Sequence, residues 1–485
     1  MNQETALKRR IPLVTSLLAV LVGIAFKLTL TSGALLPGLD GAYYWVQVRS
    51  VLDNFSLAFS DLPFVFWVQS LIAWVVGDIP LGVRISDAVL PALSAIPIYL
   101  IMRKHKNPFL PAIAILVVLL NPIQLFFFTG DFIKNEAAIP AVFFIAWILI
   151  NWEEKSKRFS ITCLAIALTV ITLSHFGTLL LALMVTVGWL LAQQRKSNIK
   201  FWLRGIGVSV IAFAAVLGIL ALLVPSRYER LINLITSPNQ FIQSPAISKI
   251  LHGSATPVML TTILIGQLGA ITLGIVAFSA REKIKYSDLS LIISSLITTF
   301  LLSLPLIGME WSDRLAALSF VPLAIAAMVI IRSVEIQWQK ASIGILVAVT
   351  LLSTFQLSFA GIQKSVFSDA QYVEFKKLVA NVNIPSGSVI VARHGIEYLS
   401  AWEFSTDVAL DTYYQSADLS SYTSVYYIEE LNSGKQDAPA APAGQKGPPS
   451  STMDKPDTGT DSTKTEPLTG ETIFENGSFA LVKIR

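Results

Sequence analysis

The chain has 485 residues, of which 53% are hydrophobic and only 14% are charged, and its mean hydropathy is +0.63. This composition excludes an ordinary soluble protein and predicts a polytopic membrane protein. The formal net charge of +4 comes from short basic clusters between apolar runs, which favours membrane topology over nucleic-acid binding. The single cysteine, Cys163, excludes an intrachain disulfide and a cysteine metal cluster.

Apolar runs long enough to cross about 30 Å of hydrocarbon recur along residues 1–360. They predict an all-α membrane bundle of about eleven transmembrane helices, each roughly 20 residues long. The runs lie near residues 11–30, 84–103, 108–127, 136–152, 159–174, 177–194, 203–224, 257–280, 287–307, 314–331 and 341–359.

The apolar run at residues 64–77 is too short to span, at about 14 residues, and predicts an interfacial helix within a long first loop, residues 31–83. If this run does not span, the main basic clusters between the runs all fall on one side of the membrane. The positive-inside rule then places the N-terminus in the cytoplasm and the first loop and the tail on the outward side of the membrane. A plasma (inner) membrane is favoured over an ER membrane, although the charge pattern itself does not separate the two.

The tail, residues 361–485, predicts a small outward α/β domain because its apolar residues fall into short alternating runs. An Asn476-Gly477 turn between two apolar runs predicts a hairpin. Residues 434–467 contain almost no apolar residue and predict a disordered insertion. The other predicted elements are helices at 369–382 and 395–402 and strands at 388–392, 408–410 and 425–431.

Three outward turns carry carboxylates together with basic residues, and ionisable groups at a membrane edge are commonly functional. Carboxylates suit a general base or a metal site, whereas basic side chains suit a lipid phosphate. The turns contain Asp40 with Arg49 and Asp53, Asp131 with Lys134 and Glu136, and Glu310 with Asp313 and Arg314. The candidate substrate-binding residues are Arg49, Lys134, Arg227, Arg230 and Arg314.

The run Asp40-Gly41-Ala42-Tyr43-Tyr44-Trp45, with Arg49 and Asp53, resembles the acidic first-loop motif of class C (GT-C) membrane glycosyltransferases, especially the catalytic subunit of oligosaccharyltransferase. Thr129-Gly130-Asp131 with Glu136 resembles the second acidic motif of that superfamily. The resemblance covers about the first 150 residues by motif. The Trp-Trp-Asp acceptor-recognition motif of oligosaccharyltransferases is absent.

The resemblance implies a glycosyltransferase that uses a polyprenyl-phosphate-linked sugar donor in the cell envelope and an outward-facing lipid, glycan or protein acceptor. Asp40 and Asp131 would be the catalytic carboxylates. Asp40, Asp131 and Glu136 are the candidate ligands of a magnesium or manganese ion. The alternatives are a transporter or flippase for lipid-linked solutes and a non-catalytic envelope scaffold.

Simpler roles exist for several of these residues. Asp40 before Gly41 is also a common turn pair. The aromatic run Tyr43-Tyr44-Trp45 suits a belt at the membrane interface, and Lys27 lies close enough to the end of its apolar run to snorkel.

Overall fold

The computed structural model describes most of the chain. The described residues are 3–130, 132–193, 214, 217–218, 220–222, 224–237, 245–252, 257–334, 336–360, 364–411, 419–431 and 470–485. The chain divides into two compact units. The first unit comprises Met1–Thr29, Asp87–Phe128 and Phe132–Ile362, and the second comprises Leu30–Ser86, Thr129–Asp131 and Gln363–Arg485.

Helices make up most of the described residues before the tail. In chain order they are α1 (Gln3–Leu30), α2 (Gly41–Asn54), α3 (Phe64–Val76), α4 (Ile79–Ala92), α5 (Ala95–Met102), α6 (Leu110–Leu120), α7 (Pro122–Thr129), α8 (Ile133–Ile150), α9 (Lys157–Ser174), α10 (Phe176–Gln193), α11 (Pro225–Thr236), α12 (Ala246–Leu251), α13 (Pro257–Ser279), α14 (Tyr286–Leu302), α15 (Met309–Leu318), α16 (Phe320–Ser333) and α17 (Ile336–Ala360).

Within the described part of the chain, seven helical stretches are long and apolar enough to cross a membrane. They are Arg10–Leu30, Ile79–Met102, Ile133–Ile150, Lys157–Ser174, Phe176–Gln193, Met259–Ser279 and Arg314–Ser333. Helices α6 and α7 form an eighth candidate, bent by 40°, and the bend coincides with Pro122, whose ring cannot continue a helical hydrogen-bond ladder. The chain is therefore a multi-pass membrane protein.

The predicted count of about eleven spans is not confirmed. Helix α14 is apolar but has only 17 residues. The predicted run at 203–224 falls mostly outside the described residues, and the side chains of much of α17 are not described either.

Helix α16 is the most buried of the candidate spans in the first unit. Within Arg314–Ser333, the stretch that contains α16, 94% of an 18-residue segment is buried, whereas the corresponding share within Arg10–Leu30 is 22%. It packs against α13, α14 and α17. A helix that is apolar all round suits this central position, whereas the exposed apolar surface of α1 is typical of a lipid-facing helix.

Close approach of two spans depends on a glycine. A Cβ on Gly188 of α10 would lie 2.4 Å from Ser294 Oγ of α14, and this hydroxyl donates a hydrogen bond to Val185 O at 2.7 Å. Small residues and hydroxyls are the usual means by which helices associate in lipid, where burial of apolar surface gives little driving force.

Helix α3 has two apolar faces in the second unit. Val65, Phe66 and Ala73 are buried, whereas Trp74 is 72% exposed and Leu71 is also exposed. Its 13 residues correspond to about 20 Å, too short for about 30 Å of hydrocarbon. The short length and exposed apolar face support the predicted interfacial helix.

The tail forms a five-stranded sheet in the order β2-β1-β3-β5-β4. Strand β1 is parallel to β2 and β3, whereas β5 is antiparallel to β3 and β4. The strands are β1 (Ser388–Ala392), β2 (Asp407–Leu410), β3 (Ser424–Glu430), β4 (Glu471–Glu475) and β5 (Phe479–Lys483), and the helices are α18 (Asp369–Asn381) and α19 (Ile396–Phe404).

The predicted hairpin is confirmed. Asn476 Oδ1 accepts hydrogen bonds from the backbone N–H groups of Ser478 and Phe479, which closes the turn between β4 and β5. The predicted helices and strands of the tail are present within one or two residues of their expected ends. The predicted disordered insertion, residues 434–467, lies outside the described residues.

The first loop and the tail meet within the second unit. Gly38 N donates to Lys364 O at 3.1 Å, and Ala34 N donates to Asp369 Oδ1 at 3.2 Å. Helix α2 packs against both α3 and α19. The first loop therefore shares its core with the tail.

The aromatic run of the first loop lies in that shared core. Tyr43, Tyr44 and Trp45 are buried, and the Tyr43 ring centroid lies 5.0 Å from that of Tyr398 in α19. Trp45 similarly contacts Trp402, at 5.6 Å. The expectation of a membrane-interface belt was therefore wrong, because the tail covers these rings.

Candidate active site

Asp40 is the residue immediately before α2, and its side chain makes no capping hydrogen bond to that helix. Its Oδ1 instead lies 3.3 Å from His394 Nε2, an ion-pair distance, and its side chain is 20% exposed. The next residue is Gly41, where a Cβ would lie 2.8 Å from Leu36 Cβ. The Asp-Gly pair therefore does more than make a turn, because it brings a carboxylate against a residue of the tail.

His394 bridges two carboxylates. Its other ring nitrogen, Nδ1, lies 2.9 Å from Glu397 Oε1, at hydrogen-bond distance. Glu397 lies in the first turn of α19 and its side chain is only 3% exposed. The result is a connected row of Asp40, His394 and Glu397 within the second unit.

A glycine brings the two chain segments together. Gly395 has φ +90°, and a Cβ there would lie 3.1 Å from Leu39 O and 2.9 Å from Val366 Cγ2. Positive φ is costly for residues with a side chain. Gly395 therefore permits the sharp turn from β1 into α19 and the contact with the residue before Asp40.

The electrostatics of the row are dominated by burial and by opposite charges. Burial lowers the pKa of His394, but the carboxylates of Asp40 and Glu397 outweigh it and raise that pKa to about 10. Burial raises the pKa of Glu397 to about 7, although the charge of His394 opposes this. His394 is therefore a cation at neutral pH, placed between two acidic groups.

The loop behind Asp40 is held by polar contacts in the aromatic core. The Tyr43 hydroxyl donates a hydrogen bond to Asp61 Oδ2. Gln47 accepts a hydrogen bond from Phe59 N at 3.0 Å and donates one to Phe59 O at 2.9 Å. These bonds fix the segment that follows Asp40, so the carboxylate stands on a rigid support.

Arg49 has a different role from the phosphate contact expected from the sequence. Its guanidinium donates to Trp402 O at 2.8 Å and to Ala401 O at 2.7 Å, and it lies 4.8 Å from the centroid of the Trp402 ring. These contacts hold α2 against the C-terminal end of α19, where basic groups are favourable.

A second polar cluster lies in the first unit. Lys27 Nζ lies 2.7 Å from Glu136 Oε2, and both side chains are 2% exposed. The same ammonium group lies 4.5 Å from the centroid of the Phe128 ring. Lys27 is therefore a buried ion-pair partner, and the expected snorkelling of its side chain was wrong.

Other predicted residues lie in the same unit as this pair. The guanidinium of Arg314 lies 5.3 Å from the ring of Phe132. Thr178 Oγ1 donates to Asn135 Oδ1 at 3.2 Å, one residue before Glu136. Lys134 is half-buried in the first turn of α8.

The remaining predicted residues are only partly described. Asp131 lies outside the described residues. Arg227 is half-buried on α11, which also carries Arg230, but the side chain of Arg230 is not described. The side chains of Glu310 and Asp313 on α15 are likewise not described.

The described residues do not fit the magnesium or manganese site that the resemblance implies. Among them, no group of three or more His, Cys, Asp and Glu side chains could hold a metal ion. Of the three expected ligands, Asp40 faces the cationic His394 and Glu136 binds the ammonium group of Lys27. A cation beside each carboxylate repels a metal ion.

Two residues of the candidate site, His394 and Glu397, were missed by sequence reasoning. They follow β1 directly, at the turn into α19. The carboxyl ends of parallel strands are where α/β domains commonly place functional side chains. A histidine at that turn, one of four in the chain, was the available signal.

Residues 60–219 match the family model described as dolichyl-phosphate-mannose-protein mannosyltransferase, which is less than half of the chain. No curated protein sequence matches.

Solved structures share the fold over most of the chain. The archaeal oligosaccharyltransferase AglB from Archaeoglobus fulgidus, in complex with an inhibitory peptide and a dolichol-phosphate, is 11% identical with a TM-score of 0.54, over 86% of this chain and 69% of that one. ArnT from Cupriavidus metallidurans bound to undecaprenyl phosphate is 11% identical with a TM-score of 0.54, over 98% of both chains. The apo state of ArnT from Cupriavidus metallidurans is also 11% identical, with a TM-score of 0.52, over 98% of both chains. At the level of the fold, these matches confirm the resemblance to the class C (GT-C) membrane glycosyltransferases.

Proposed function

We propose that this protein transfers a sugar from a polyprenyl-phosphate carrier to an acceptor at the extracytoplasmic face of a plasma (inner) membrane. The observation that carries the proposal is the partly exposed carboxylate of Asp40, in the loop that resembles the GT-C motif, held against the half-buried His394 of the tail. The fold supports it, since AglB and ArnT were solved with dolichol-phosphate and undecaprenyl phosphate respectively.

In this mechanism Asp40 is the general base. It takes the proton from the attacking acceptor group as that group forms a bond to the anomeric carbon of the sugar. The bond from this carbon to the carrier phosphate breaks, and its electron pair leaves with the polyprenyl phosphate. Attack opposite the leaving group inverts the configuration of the anomeric carbon. Asp131 is the second candidate carboxylate.

Basic residues would stabilise the negative charge that develops on the leaving phosphate. The candidates are Arg314, Lys134, Arg227 and Arg230. The guanidinium of Arg314 lies over the ring of Phe132, near the start of α8. Lys27 is a weaker candidate, since Glu136 already neutralises its charge.

The test is the variant Asp40→Asn in the purified full-length protein, reconstituted in nanodiscs. Dolichyl- and undecaprenyl-phosphate-linked sugars are supplied with cell-envelope lipids and peptides, and the polyprenyl phosphate released is measured. Loss of a general base lowers the rate by about 100-fold or more. Asp407→Asn, an exposed carboxylate at the start of β2, is the matched control. Full activity of Asp40→Asn would disprove the proposed role.

A second candidate function is translocation of a lipid-linked solute. The buried pair of Lys27 and Glu136 favours it, because ionisable pairs at membrane depth are common in transporters. A lipid-flipping assay in proteoliposomes separates the two: a transporter moves labelled lipid in the Asp40→Asn variant, whereas a glycosyltransferase gives no flipping above protein-free vesicles.

A further inference from the structure

The tail contributes His394 and Glu397, the two residues that form a connected row with Asp40. We propose that His394 is a positioning residue for the transfer reaction: Glu397 fixes its ring, and the ring fixes the carboxylate of Asp40. The proposal rests on the proposed function above and extends it, because it makes the reaction centre incomplete without the tail.

The geometry of the imidazole supports this role. Nδ1 lies 2.9 Å from Glu397 Oε1 and Nε2 lies 3.3 Å from Asp40 Oδ1. The hydrogen bond at Nδ1 fixes the ring and directs Nε2 toward Asp40 at ion-pair distance, so a residue on α19 determines where the cation meets the carboxylate. The arrangement parallels metal-ligand and catalytic sites in which an outer carboxylate orients a histidine.

The cost of the arrangement also points to function. Glu397 Oε2 is buried and has no hydrogen-bond partner among the described residues, and a buried carboxylate carries a large desolvation cost. The positive charge of His394 reduces that cost, but its ring contacts Glu397 at Oε1 and not at Oε2. A contact serving only to attach the tail to the first loop would be as strong with apolar residues, which the neighbouring aromatic core already supplies.

The position of Asp40 explains what the contact achieves. One of its oxygens faces His394, and its side chain remains partly exposed. A carboxylate held in place by this contact accepts the proton of the acceptor without first reorienting. Holding a reacting group in its productive geometry lowers the barrier to the chemical step rather than the binding of substrate.

The experiment measures steady-state kinetics of the full-length protein in nanodiscs, with the donor that supports the highest rate. The variants are His394→Gln, His394→Ala and Glu397→Gln. The matched control is Glu403→Gln, which changes a nearly buried carboxylate on the same helix whose partners are Tyr372 and Lys376.

We expect His394→Gln and Glu397→Gln to lower kcat by about 10–100-fold, the range for loss of an outer-shell partner, with KM within about twofold. We expect Glu403→Gln to have the same kcat as wild type. Added imidazole restores part of the activity of His394→Ala but none of Asp40→Asn, which a purely structural role of His394 would not produce.

The outcomes separate this inference from the proposed function. A wild-type protein that transfers no sugar from either carrier overturns both. An active wild-type protein in which His394→Gln loses no more kcat than Glu403→Gln overturns the inference alone. Equal losses in His394→Gln, Glu397→Gln and Glu403→Gln, without rescue of His394→Ala by imidazole, also overturn it, because they indicate a general loss of folding.

Discussion

The ion pair of Lys27 and Glu136 allows a quantitative prediction about the stability of the first unit. Replacing Lys27 with Met removes the ammonium group that lies 2.7 Å from Glu136 Oε2 and leaves a carboxylate that is only 2% exposed. Within the part of the chain that the structure describes, Glu136 Oε1 already lacks a hydrogen-bond partner, so that oxygen offers no compensating contact.

The expected loss follows from these contacts. Removing one partner of a buried ion pair costs about 3–5 kcal/mol. In the double variant Lys27→Met/Glu136→Gln no unpaired charge remains, and the loss falls to about 1–2 kcal/mol, mainly from the lost contact of the ammonium group with the Phe128 ring. The double variant is therefore expected to be more stable than either single variant.

Reversible unfolding in mixed detergent micelles measures the free energy of unfolding of wild type, both single variants and the double variant. Lys340→Met, which removes a lysine from α17, is the control for general effects of losing a charge. If the losses of the single variants simply add in the double variant, the two side chains are not coupled and the reasoning fails.

Three further predictions concern the second unit. Gly395→Ala should lower both the melting temperature and the activity, because φ +90° is strained for alanine and its Cβ would press on Leu39 O; a variant with wild-type melting and rate would contradict this. Because the pKa values of Glu397 and His394 are raised in the folded state, to about 7 and about 10, their contribution to stability is present at low pH and is lost as pH rises through those values. The melting temperature of wild type should therefore fall as pH rises from about 6.5 to about 10, and His394→Gln should flatten this dependence; an unchanged slope would refute the assignment. The variant Trp74→Cys, labelled with a fluorophore at the new cysteine, tests whether the exposed face of α3 contacts lipid. In nanodiscs its fluorescence should be quenched by spin-labelled lipids, and equal fluorescence with and without such lipids would exclude membrane contact.

Much of the architecture could be predicted because its signals are local. The tail's hairpin follows from Asn476-Gly477 between apolar runs, and the short length of the run at 64–77 distinguishes α3 from a spanning helix. The expected count of eleven spans was harder to establish. Pro122 divides one run into a bent pair, and α14 is shorter than a typical span.

The candidate site was predicted only in part. Asp40 carries a local motif, but the residues that surround it come from the far end of the chain. No periodicity reveals that His394 lies against Asp40, or that Arg49 is occupied by carbonyl groups of α19. The aromatic run was misassigned for the same reason: three adjacent rings suit either a membrane interface or a protein core, and only the tail's position decides between them.

The shared core of the first loop and the tail sets an order for biogenesis. Roughly 280 residues separate these two segments, which take about 15–55 s to synthesise at 5–20 residues per second. During that interval Tyr43 and Trp45 have no α19 to cover them. A chain cut short before the tail would keep these rings uncovered permanently, so quality-control proteases could distinguish it from the complete protein even after all of its spanning helices have inserted.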